Sequence, residues 1–456
     1  MLMTRQRGFI TCLAITLLCI ATFASAADWA RFRGPNGSGV SQDKAPVPTN
    51  FSDTENLKWK VALPGPGSSS PIIVGDRLFV TCWSGYGVDR GNPGDQKNLR
   101  RHLICLDRNT GKTIWSTSVE PVLPEDNYGG MFAEHGYASH TPVSDGERIY
   151  VYFGKCGAFA FDMDGNQLWQ AKIGTESDPR GWGSASSPVL YKDTVIVTAS
   201  AESHAVVALD KATGKEVWRQ EAAGLSSTWG TPVMVKVDEE RTDLVLGVPY
   251  EFWAFNPDDG KLRWYCSVME TDSFCSSVVT EGGIVYGIEG RGGGSIAVRA
   301  GGKGDVTESS VVWSGRDSNR IGTPVIYDGR IYFFSNGIAN CIAADSGEKV
   351  FQSRLEGASG ASQNRAGGGE AGSSRGRRGG GGGFGGDYAS PVIADGKIYF
   401  TSRSGDIFVL KASDKFEQLA TNRVTSDSED FSATPAVSDG QLFIRSSKHV
   451  YCVASP

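Results

Sequence analysis

The sequence predicts an all-β protein, an eight-bladed β-propeller of four-stranded antiparallel blades whose last blade is closed by the N-terminal strand. Three observations support this fold class. A strand-rich unit recurs with a nearly constant period, small and aromatic residues recur at fixed places within each unit, and one unit is divided between the two ends of the chain. A ring of blades accounts for all three, since closure removes exposed sheet edges.

The repeating unit is clearest in residues 187–218, SPVLYKDTVIVTASAESHAVVALDKATGKEVW. The runs PVLY, TVIVTAS, HAVVALD and EVW are rich in residues that favour strands, and turn residues separate them. Lys192 and Asp193 occupy a tight hairpin, and the segment from Asp210 to Lys215 has the composition of an Asx turn, with Gly214 supplying a positive φ. The unit is therefore predicted to be a four-stranded meander.

The first strand of each unit is marked by a proline that follows serine or threonine, or by an equivalent residue. These positions are Pro71, Pro142, Pro188, Pro232, Ser277 in place of proline, Pro324, Pro391 and Pro435. The steps between them are 71, 46, 44, 45, 47, 67 and 44 residues. The two long steps contain insertions, so the period itself is regular.

Two further positions recur within the units. The third strand carries a small residue near its end, at Cys105, Ala160, Ala208, Ala254, Ala297, Ala343, Val409 and Cys452. The fourth strand carries a large aromatic residue, at Trp59, Trp115, Trp169, Trp218, Trp264, Trp313 and Phe351. Alternation of small and large side chains lets neighbouring sheets interdigitate, and it gives Cys105 and Cys452 a packing role.

The units at the two ends of the chain are incomplete. Trp59 marks a fourth strand with no first three strands before it, and the final unit, from Pro435 onward, stops after three. Joining the two completes an eighth blade, which an open solenoid would not need. Seven blades is the alternative if the unit at Ser277 is degenerate.

The chain is divided into three parts, the last of which contains an insertion. Residues 1–26 have two arginines, an apolar run and Ala24-Ser25-Ala26, which predicts a signal peptide cleaved after Ala26 and a periplasmic or secreted protein. A membrane anchor is the alternative, but the apolar run is short. Residues 27–50 form an extended arm, residues 51–456 form the propeller, and the Gly/Arg-rich insertion at 357–387 is expected to be disordered.

Charge and cysteine content limit the possible functions. The chain has a net charge of −6, or −8 once Arg5 and Arg7 leave with the signal peptide, so a nucleic-acid partner is not expected. No second apolar run is long enough to span a membrane. Seven cysteines remain without a CxxC pair, so no disulfide framework is indicated, although Cys266 and Cys275 are close enough in sequence to pair.

Turn motifs of the form D-x-x-T-G-K-x-x-W give the chain a family resemblance. Residues 107–115 (DRNTGKTIW) and 210–218 (DKATGKEVW) match fully, and residues 256–264 (NPDDGKLRW) and 345–351 (DSGEKVF) are degenerate. The sequence thereby resembles the pyrroloquinoline-quinone (PQQ) repeat family of β-propellers over nearly the whole mature chain. That family includes quinoprotein alcohol and sugar dehydrogenases, which bind PQQ and Ca²⁺ on the propeller axis, and non-catalytic BamB-like scaffolds.

The features that the resemblance implies for a quinone enzyme are incomplete here. The chain has no Cys-Cys dipeptide to cover the quinone and no CxxCH motif for haem. The Ca²⁺ ligands of the family cannot be matched to positions in this sequence. A different metal site could use Glu134, His135 and His140 in AEHGYASHTP, although histidines packed within loops explain the same pattern.

The loops that lead into the first strands of the units carry recurrent aromatic residues, and one of these loops carries Arg320. Loops at this position converge on the mouth of the axial channel of a propeller. The candidates for binding a ligand there are Tyr137, Trp182, Trp229, Phe274, Arg320, Tyr388 and Phe431. The alternative is that these aromatic residues pack between blades.

Two functions follow from these observations. The first is an exported, non-catalytic propeller that binds an envelope protein or a small ligand at one face. For this function the sequence predicts no catalytic residue and requires no cofactor. The second is a PQQ- and Ca²⁺-dependent dehydrogenase of alcohols or sugars. Carbohydrate binding through the aromatic residues of the channel mouth is a third, weaker possibility.

Overall fold

The protein is a propeller of eight sheets, as the sequence predicts. The computed structural model describes residues 28–290, 292–319, 321–358 and 386–456. The predicted signal peptide and residues 359–385 of the Gly/Arg-rich insertion lie outside these ranges. Within them, no helix is long and apolar enough to cross a membrane.

The first four blades follow one another along the chain. Blade 1 has β2 (Ile72–Val74), β3 (Arg77–Ser84), β4 (Arg100–Asp107) and β5 (Thr113–Val119). Blade 2 has β6 (Val143–Ser144), β7 (Arg148–Tyr152), β8 (Ala158–Asp162) and β9 (Gln167–Ala171). Blade 3 has β10 (Val189–Tyr191), β11 (Thr194–Ala199), β12 (Ala205–Asp210) and β13 (Glu216–Glu221). Blade 4 has β14 (Val233–Lys236), β15 (Thr242–Val248), β16 (Glu251–Phe255) and β17 (Leu262–Ser267).

The other four blades complete the ring. Blade 5 has β18 (Val279–Glu281), β19 (Ile284–Glu289), β20 (Gly294–Arg299) and β22 (Val311–Gly315). Blade 6 has β23 (Val325–Tyr327), β24 (Arg330–Ser335), β25 (Ile338–Ala343) and β26 (Lys349–Arg354). Blade 7 has β27 (Val392–Ala394), β28 (Lys397–Thr401), β29 (Ile407–Lys411) and β30 (Gln418–Asn422). Blade 8 has β31 (Ala436–Ser438), β32 (Gln441–Arg445), β33 (His449–Val453) and, from the start of the chain, β1 (Leu57–Ala62).

The sequence did not predict the insertion between β20 and β22. There β21 (Gly304–Asp305) adds a fifth strand, parallel to β17, at the outer edge of blade 4, and a single turn of helix, α1 (Thr307–Ser310), follows it. Short 3₁₀ turns occupy Pro35–Gly37, Gln96–Asn98, Phe132–Glu134, Gly154–Cys156 and Ala223–Leu225.

The tryptophans of the fourth strands join each blade to the next. In five blades the indole N–H donates to a backbone carbonyl in the neighbouring blade's turn between its third and fourth strands. The pairs are Trp59–Arg108, Trp115–Met163, Trp169–Lys211, Trp218–Pro257 and Trp313–Ala344, at 2.9–3.0 Å. A glycine of the same turn lies against the indole face, where a Cβ would come within 2.4–2.7 Å of the ring. The glycine of the turn motif is thus required by the tryptophan of the preceding blade.

Three positions depart from this pattern. Trp264 donates instead to the carboxylate of Asp243, at 2.8 Å, because blade 5 has the β21 insertion where the turn would be. Phe351 has the place of tryptophan in blade 6, as predicted, and Ala420 has it in blade 7. Both lack an indole N–H, so these two junctions have no hydrogen bond at this position, although Tyr332 of blade 6 donates its hydroxyl to the carbonyl of Ser413 in blade 7 at 3.0 Å.

The small residues of the third strands lie directly opposite the tryptophans. Cys105 pairs with Trp115 and Cys452 with Trp59, and both cysteines are fully buried. Burial raises the pKa of each thiol to about 12, in keeping with the packing role that we predicted for them. The prediction of Ala343 is wrong, because Cys341 is the residue opposite Phe351. The error arose because Cys341 and Ala343 lie two residues apart and face the same side of β25.

The inter-blade indole contact should be visible as a loss of stability. Trp169→Phe keeps an aromatic ring but removes the indole donor to the part-buried carbonyl of Lys211, which keeps only a long 3.5 Å hydrogen bond from Tyr150, so we expect the free energy of unfolding to fall by about 1 kcal/mol. Urea unfolding followed by circular dichroism measures the change.

The neighbouring side chain provides the control. Leu168 precedes Trp169 on the same strand and is 46% exposed, so Leu168→Ala should change stability by no more than about 0.5 kcal/mol. Equal losses in both variants would contradict the role assigned to the indole.

Candidate functional site

A ring of hydroxyl groups surrounds the propeller axis, formed by the residue before each innermost strand. Its members are Ser70, Thr141, Ser187, Thr231, Ser277, Thr323, Ser390 and Thr434. Each backbone N–H, from Ser70 through Ser390, donates to the side-chain oxygen of the next residue in this order, at 2.9–3.0 Å. The prolines that follow therefore mark a chain of hydrogen bonds running from blade to blade.

This ring corrects the alignment of the fifth unit. Ser277 accepts from the N–H of Thr231 and donates its own N–H to Thr323, as the other ring residues do. Val278, and not Ser277, consequently has the position of the proline. The misplacement arose because the sequence offers two serines, Ser276 and Ser277, before an apolar strand.

The ring lines an axial cavity of about 150 Å³. The remaining lining residues come from the loops above the ring and from the N-terminal arm. They are Phe32, Ser68, Met131, His135, Ser139, Trp182, Ala185, Trp229, Cys275, Ile321, Tyr388 and Ser432. None of the described lining residues is an aspartate, glutamate, lysine or arginine. The cavity therefore offers hydroxyl groups and aromatic rings.

Three of the predicted aromatic residues line the cavity. Trp182 and Trp229 lie side by side, with ring centroids 5.0 Å apart, and Tyr388 comes from the loop between blades 6 and 7. The indole N–H of Trp229 donates to the carbonyl of Gly183 at 2.7 Å, which fixes that ring. Trp182 and Tyr388 remain partly exposed, so both are accessible at the mouth.

The other three predicted aromatic residues are buried in packing contacts. Phe274 lies against Gly247 in blade 4, and Phe431 lies against Gly405 in blade 7, each where a Cβ would come within 2.5–2.7 Å of the ring. Tyr137 belongs to an aromatic cluster with Trp83, Tyr86, Tyr128 and Phe132. The packing interpretation is thus correct for these three. Arg320, the remaining candidate, lies outside the described residues.

The charged groups at the mouth are neutralised by one another. Glu134 forms ion pairs with Arg90 at 2.8 Å and with Arg403 at 2.6 Å, and Arg403 also pairs with Asp430 at 2.5 Å. Burial acts to raise the pKa of Glu134, but the hydrogen bonds from the two arginines leave it below its ordinary value. The guanidinium of Arg403 also lies over the ring of Tyr388, 4.9 Å from its centroid.

The residues considered for a metal site have other partners. Glu134 is held by the two arginines, and His135 Nε2 lies 2.6 Å from the carbonyl oxygen of Trp182. His140 Nε2 lies 3.1 Å from Ser184 Oγ, whose hydroxyl donates to Glu202 at 2.5 Å. In the described part of the chain, no group of three or more histidine, cysteine, aspartate and glutamate side chains could hold a metal ion. Cys266 and Cys275 do not form a disulfide with each other.

The N-terminal arm crosses the propeller at the end of the cavity opposite the mouth. Trp29 pairs with Ile73 of blade 1, Arg33 donates to the carbonyl of Pro324 before blade 6, and Val40 pairs with Ile393 of blade 7. Phe32 lies between the first two contacts and lines the cavity. Trp29 and Arg33 are only 1% exposed, so this part of the arm is packed into the propeller.

Several residues that line the cavity were not predicted from the sequence, although the pattern of some of them was visible in it. The Ser/Thr that precedes each proline was visible as a pattern, but its hydrogen-bonding partner lies in the next blade, about 45 residues away. Phe32 and Met131 follow no repeat. Their approach to the axis depends on the path of the arm and of the loop before blade 2.

The sequence profile of the family described as "Outer membrane protein assembly factor BamB", a PQQ-repeat family, matches residues 96–205 and 160–368. These matches cover more than half of the chain. The chain belongs to this family of PQQ-repeat propellers.

Individual relatives of the chain are more distant. A curated relative, the polyvinylalcohol dehydrogenase of Sphingopyxis sp. (strain 113P3), is 22% identical over 299 residues, 55% of this chain and 41% of that protein. The chain thus matches less than half the length of this relative. BamB from Moraxella catarrhalis has a TM-score of 0.55 at 12% identity, covering 87% of this chain and 96% of that one. Quinohemoprotein alcohol dehydrogenase from Comamonas testosteroni has 0.59 at 11%, covering 94% and 81%. At such identities the two structures agree with this protein in fold.

The buried His140 gives the protein a testable sensitivity to acid. Burial, together with the nearby His135 and Arg101, lowers its pKa to about 3. Between the ordinary value near 6.5 and this value, the unfolded chain binds a proton at His140 that the folded protein does not. Stability from this residue is therefore complete above pH 6.5 and is lost as the pH falls towards 3.

We expect His140→Gln to flatten this part of the pH dependence. Below pH 6.5, the free energy of unfolding of the wild type should fall relative to the variant by up to ~1.4 kcal/mol per pH unit. Urea unfolding at pH 7, 6, 5 and 4 measures the difference. Parallel pH profiles for the two proteins would show that His140 does not titrate in this way.

Proposed function

We propose that the protein is an exported, non-catalytic propeller of the cell envelope that binds a ligand in its axial cavity. The observation that carries this proposal is the cavity itself, which is closed at one end by Phe32, open at the other, and lined by hydroxyl groups and aromatic rings. Such a lining can hold and orient a small molecule, and none of its described residues is an aspartate, glutamate, lysine or arginine that could act as a charged catalytic group.

The residues of the cavity do not fit PQQ with Ca²⁺. PQQ is a fused three-ring quinone with three carboxylates, whereas the described lining contains no lysine or arginine to pair with them. Calcium takes six to eight oxygen ligands including carboxylates, and no acidic side chain is among the described lining residues. A volume of about 150 Å³ is also small for a cofactor of this size.

A dehydrogenase remains the alternative function, and the names of two similar proteins favour it. One is called a polyvinylalcohol dehydrogenase and the other a quinohemoprotein alcohol dehydrogenase. The residues that line the cavity count for more than these names, because a cofactor must be held by side chains of the protein that uses it.

Location in the envelope and a partner at the mouth face are part of the proposal. Residues 1–26 have the layout of a signal peptide, and the family description refers to outer membrane protein assembly. An envelope protein could therefore contact the face on which the cavity opens. The small ligand is the more specific hypothesis, since the cavity is lined by residues before all eight blades and by Phe32 of the arm.

Titration with PQQ and CaCl₂ separates the two functions. For the non-catalytic propeller we expect no change in melting temperature, no change in the absorbance of the quinone, and no reduction of a dye with alcohols or sugars. A melting temperature that rises with PQQ concentration, together with dye reduction, would establish the dehydrogenase instead.

Ligand capture tests the binding function directly. The purified protein is equilibrated with a low-molecular-weight extract, separated from free solutes, and its bound molecules are released for mass spectrometry. Ala185 lines the cavity and is partly exposed, so Ala185→Phe should fill the space and abolish capture. The control Leu168→Phe adds a similar ring at an exposed position of an outer strand and should capture as the wild type does. No molecule retained by either protein would refute binding.

A further inference from the structure

We propose that the axial cavity binds the terminal sugar of a neutral carbohydrate chain. This inference rests on the proposed ligand-binding function and makes it specific. It follows from four properties of the cavity: its volume, its aromatic mouth, its ring of hydroxyl groups, and its closed floor.

The volume matches a single six-membered ring. An engineered apolar cavity of about 150 Å³ in another protein takes up benzene, and the axial cavity has a volume of about 150 Å³. Pockets for drug-sized ligands begin at about 300 Å³. One pyranose ring can therefore enter, while the rest of a longer chain stays outside the mouth.

The aromatic residues at the mouth match the apolar faces of a sugar. Trp182 and Tyr388 reach the cavity from opposite parts of the ring, the first before blade 3 and the second before blade 7. A pyranose presents C–H groups on its faces and hydroxyl groups at its edge. Partly exposed rings with rigid supports can cover those faces at a small cost in conformational entropy.

The hydroxyl ring matches the edge of a sugar. Seven of its side-chain oxygens, from Thr141 to Thr434, each accept one backbone N–H from the preceding blade. A serine or threonine hydroxyl has one proton and two lone pairs, so each of these groups can still donate and accept a further hydrogen bond. A ligand whose own hydroxyl groups both donate and accept is complementary to such a ring.

The charges around the cavity favour a neutral ligand. The described lining has no ionic side chain, and at the mouth Arg403 forms ion pairs with both Glu134 and Asp430. Burying a carboxylate or an ammonium group among hydroxyl groups and aromatic rings, without an opposite charge, is costly. A uronic acid or an amino sugar should consequently bind less well than the neutral sugar.

The closed floor determines which part of a chain can enter. Phe32 lies at the bottom of the cavity, and the arm that carries it is anchored on blades 1, 6 and 7. A chain cannot thread through, so only a chain end can reach the hydroxyl ring. A cyclic oligosaccharide, which has no end, should be excluded.

Isothermal titration calorimetry with defined oligosaccharides tests the inference. The probes are linear six-unit chains of glucose, mannose, galactose and xylose, including maltohexaose, together with α-cyclodextrin, which has the six glucose units of maltohexaose in a closed ring. We expect saturable binding of at least one linear chain, none of α-cyclodextrin, and at least tenfold weaker binding of a uronic-acid chain of equal length.

Variants assign the binding to the cavity. Trp182→Ala and Tyr388→Ala should each weaken the binding of the linear chain at least tenfold, with melting temperatures confirming that both variants fold. Trp253→Ala is the matched control, because Trp253 is a partly buried tryptophan of β16 outside the cavity lining, and its binding should equal that of the wild type.

The outcomes separate this inference from the proposed function. If no linear chain binds while the extract still yields a molecule whose capture Ala185→Phe abolishes, the sugar is wrong and the ligand-binding function stands. If neither experiment detects binding, both are wrong. Equal affinity for maltohexaose and α-cyclodextrin would overturn recognition of a chain end, and tighter binding of the uronic-acid chain would overturn neutrality.

Discussion

The contact between a tryptophan and the turn of the next blade is the interaction on which the propeller depends. An isolated four-stranded blade cannot bury its faces, so each blade needs a neighbour at a fixed distance and angle. The indole sets both, because its N–H must reach a carbonyl while its face lies on a glycine. Trp59 makes this contact between blade 8 and blade 1, so the same interaction that spaces the blades also closes the ring.

A second circle of contacts lies at the axis. The outer tryptophans fix the blades at their edges, and the hydroxyl ring joins the starts of their innermost strands through hydrogen bonds of nearly constant length. Each innermost strand is the last strand of its sheet on the axial side, where the N-terminal arm bridges to two of them, at Ile73 and Ile393. Hydrogen bonding by the ring therefore stabilises the strand starts and leaves each hydroxyl able to donate to a ligand in the cavity that these residues line. Stability of the fold and the chemistry of the cavity come from the same residues.

The sequence predicted the features that follow from the repeat. It did not predict side-chain orientations that depend on contacts with residues distant in the chain. The period, the eight blades and the divided last blade follow from local patterns, as does the turn at Asp210. Whether an aromatic residue at the mouth faces the axis or a blade depends on the residue it meets. Phe274 is buried because Gly247 leaves room for it, whereas Trp182 meets Trp229 and stays at the mouth. Those partners are distant in sequence, and no pattern within one unit specifies them.

The position of the arm has a consequence for the order in which the molecule can assemble. Phe32 and the strand β1 belong to the earliest described part of the chain. The partner of β1 is β33, whose paired residues are His449 to Val453. During synthesis the first of these segments must wait, unpaired, for the last. The middle blades can form as they emerge and the arm can be anchored once blades 1, 6 and 7 are present, but the final blade is complete only when β33 is available. Local nucleation therefore precedes a late, long-range step that completes the final blade.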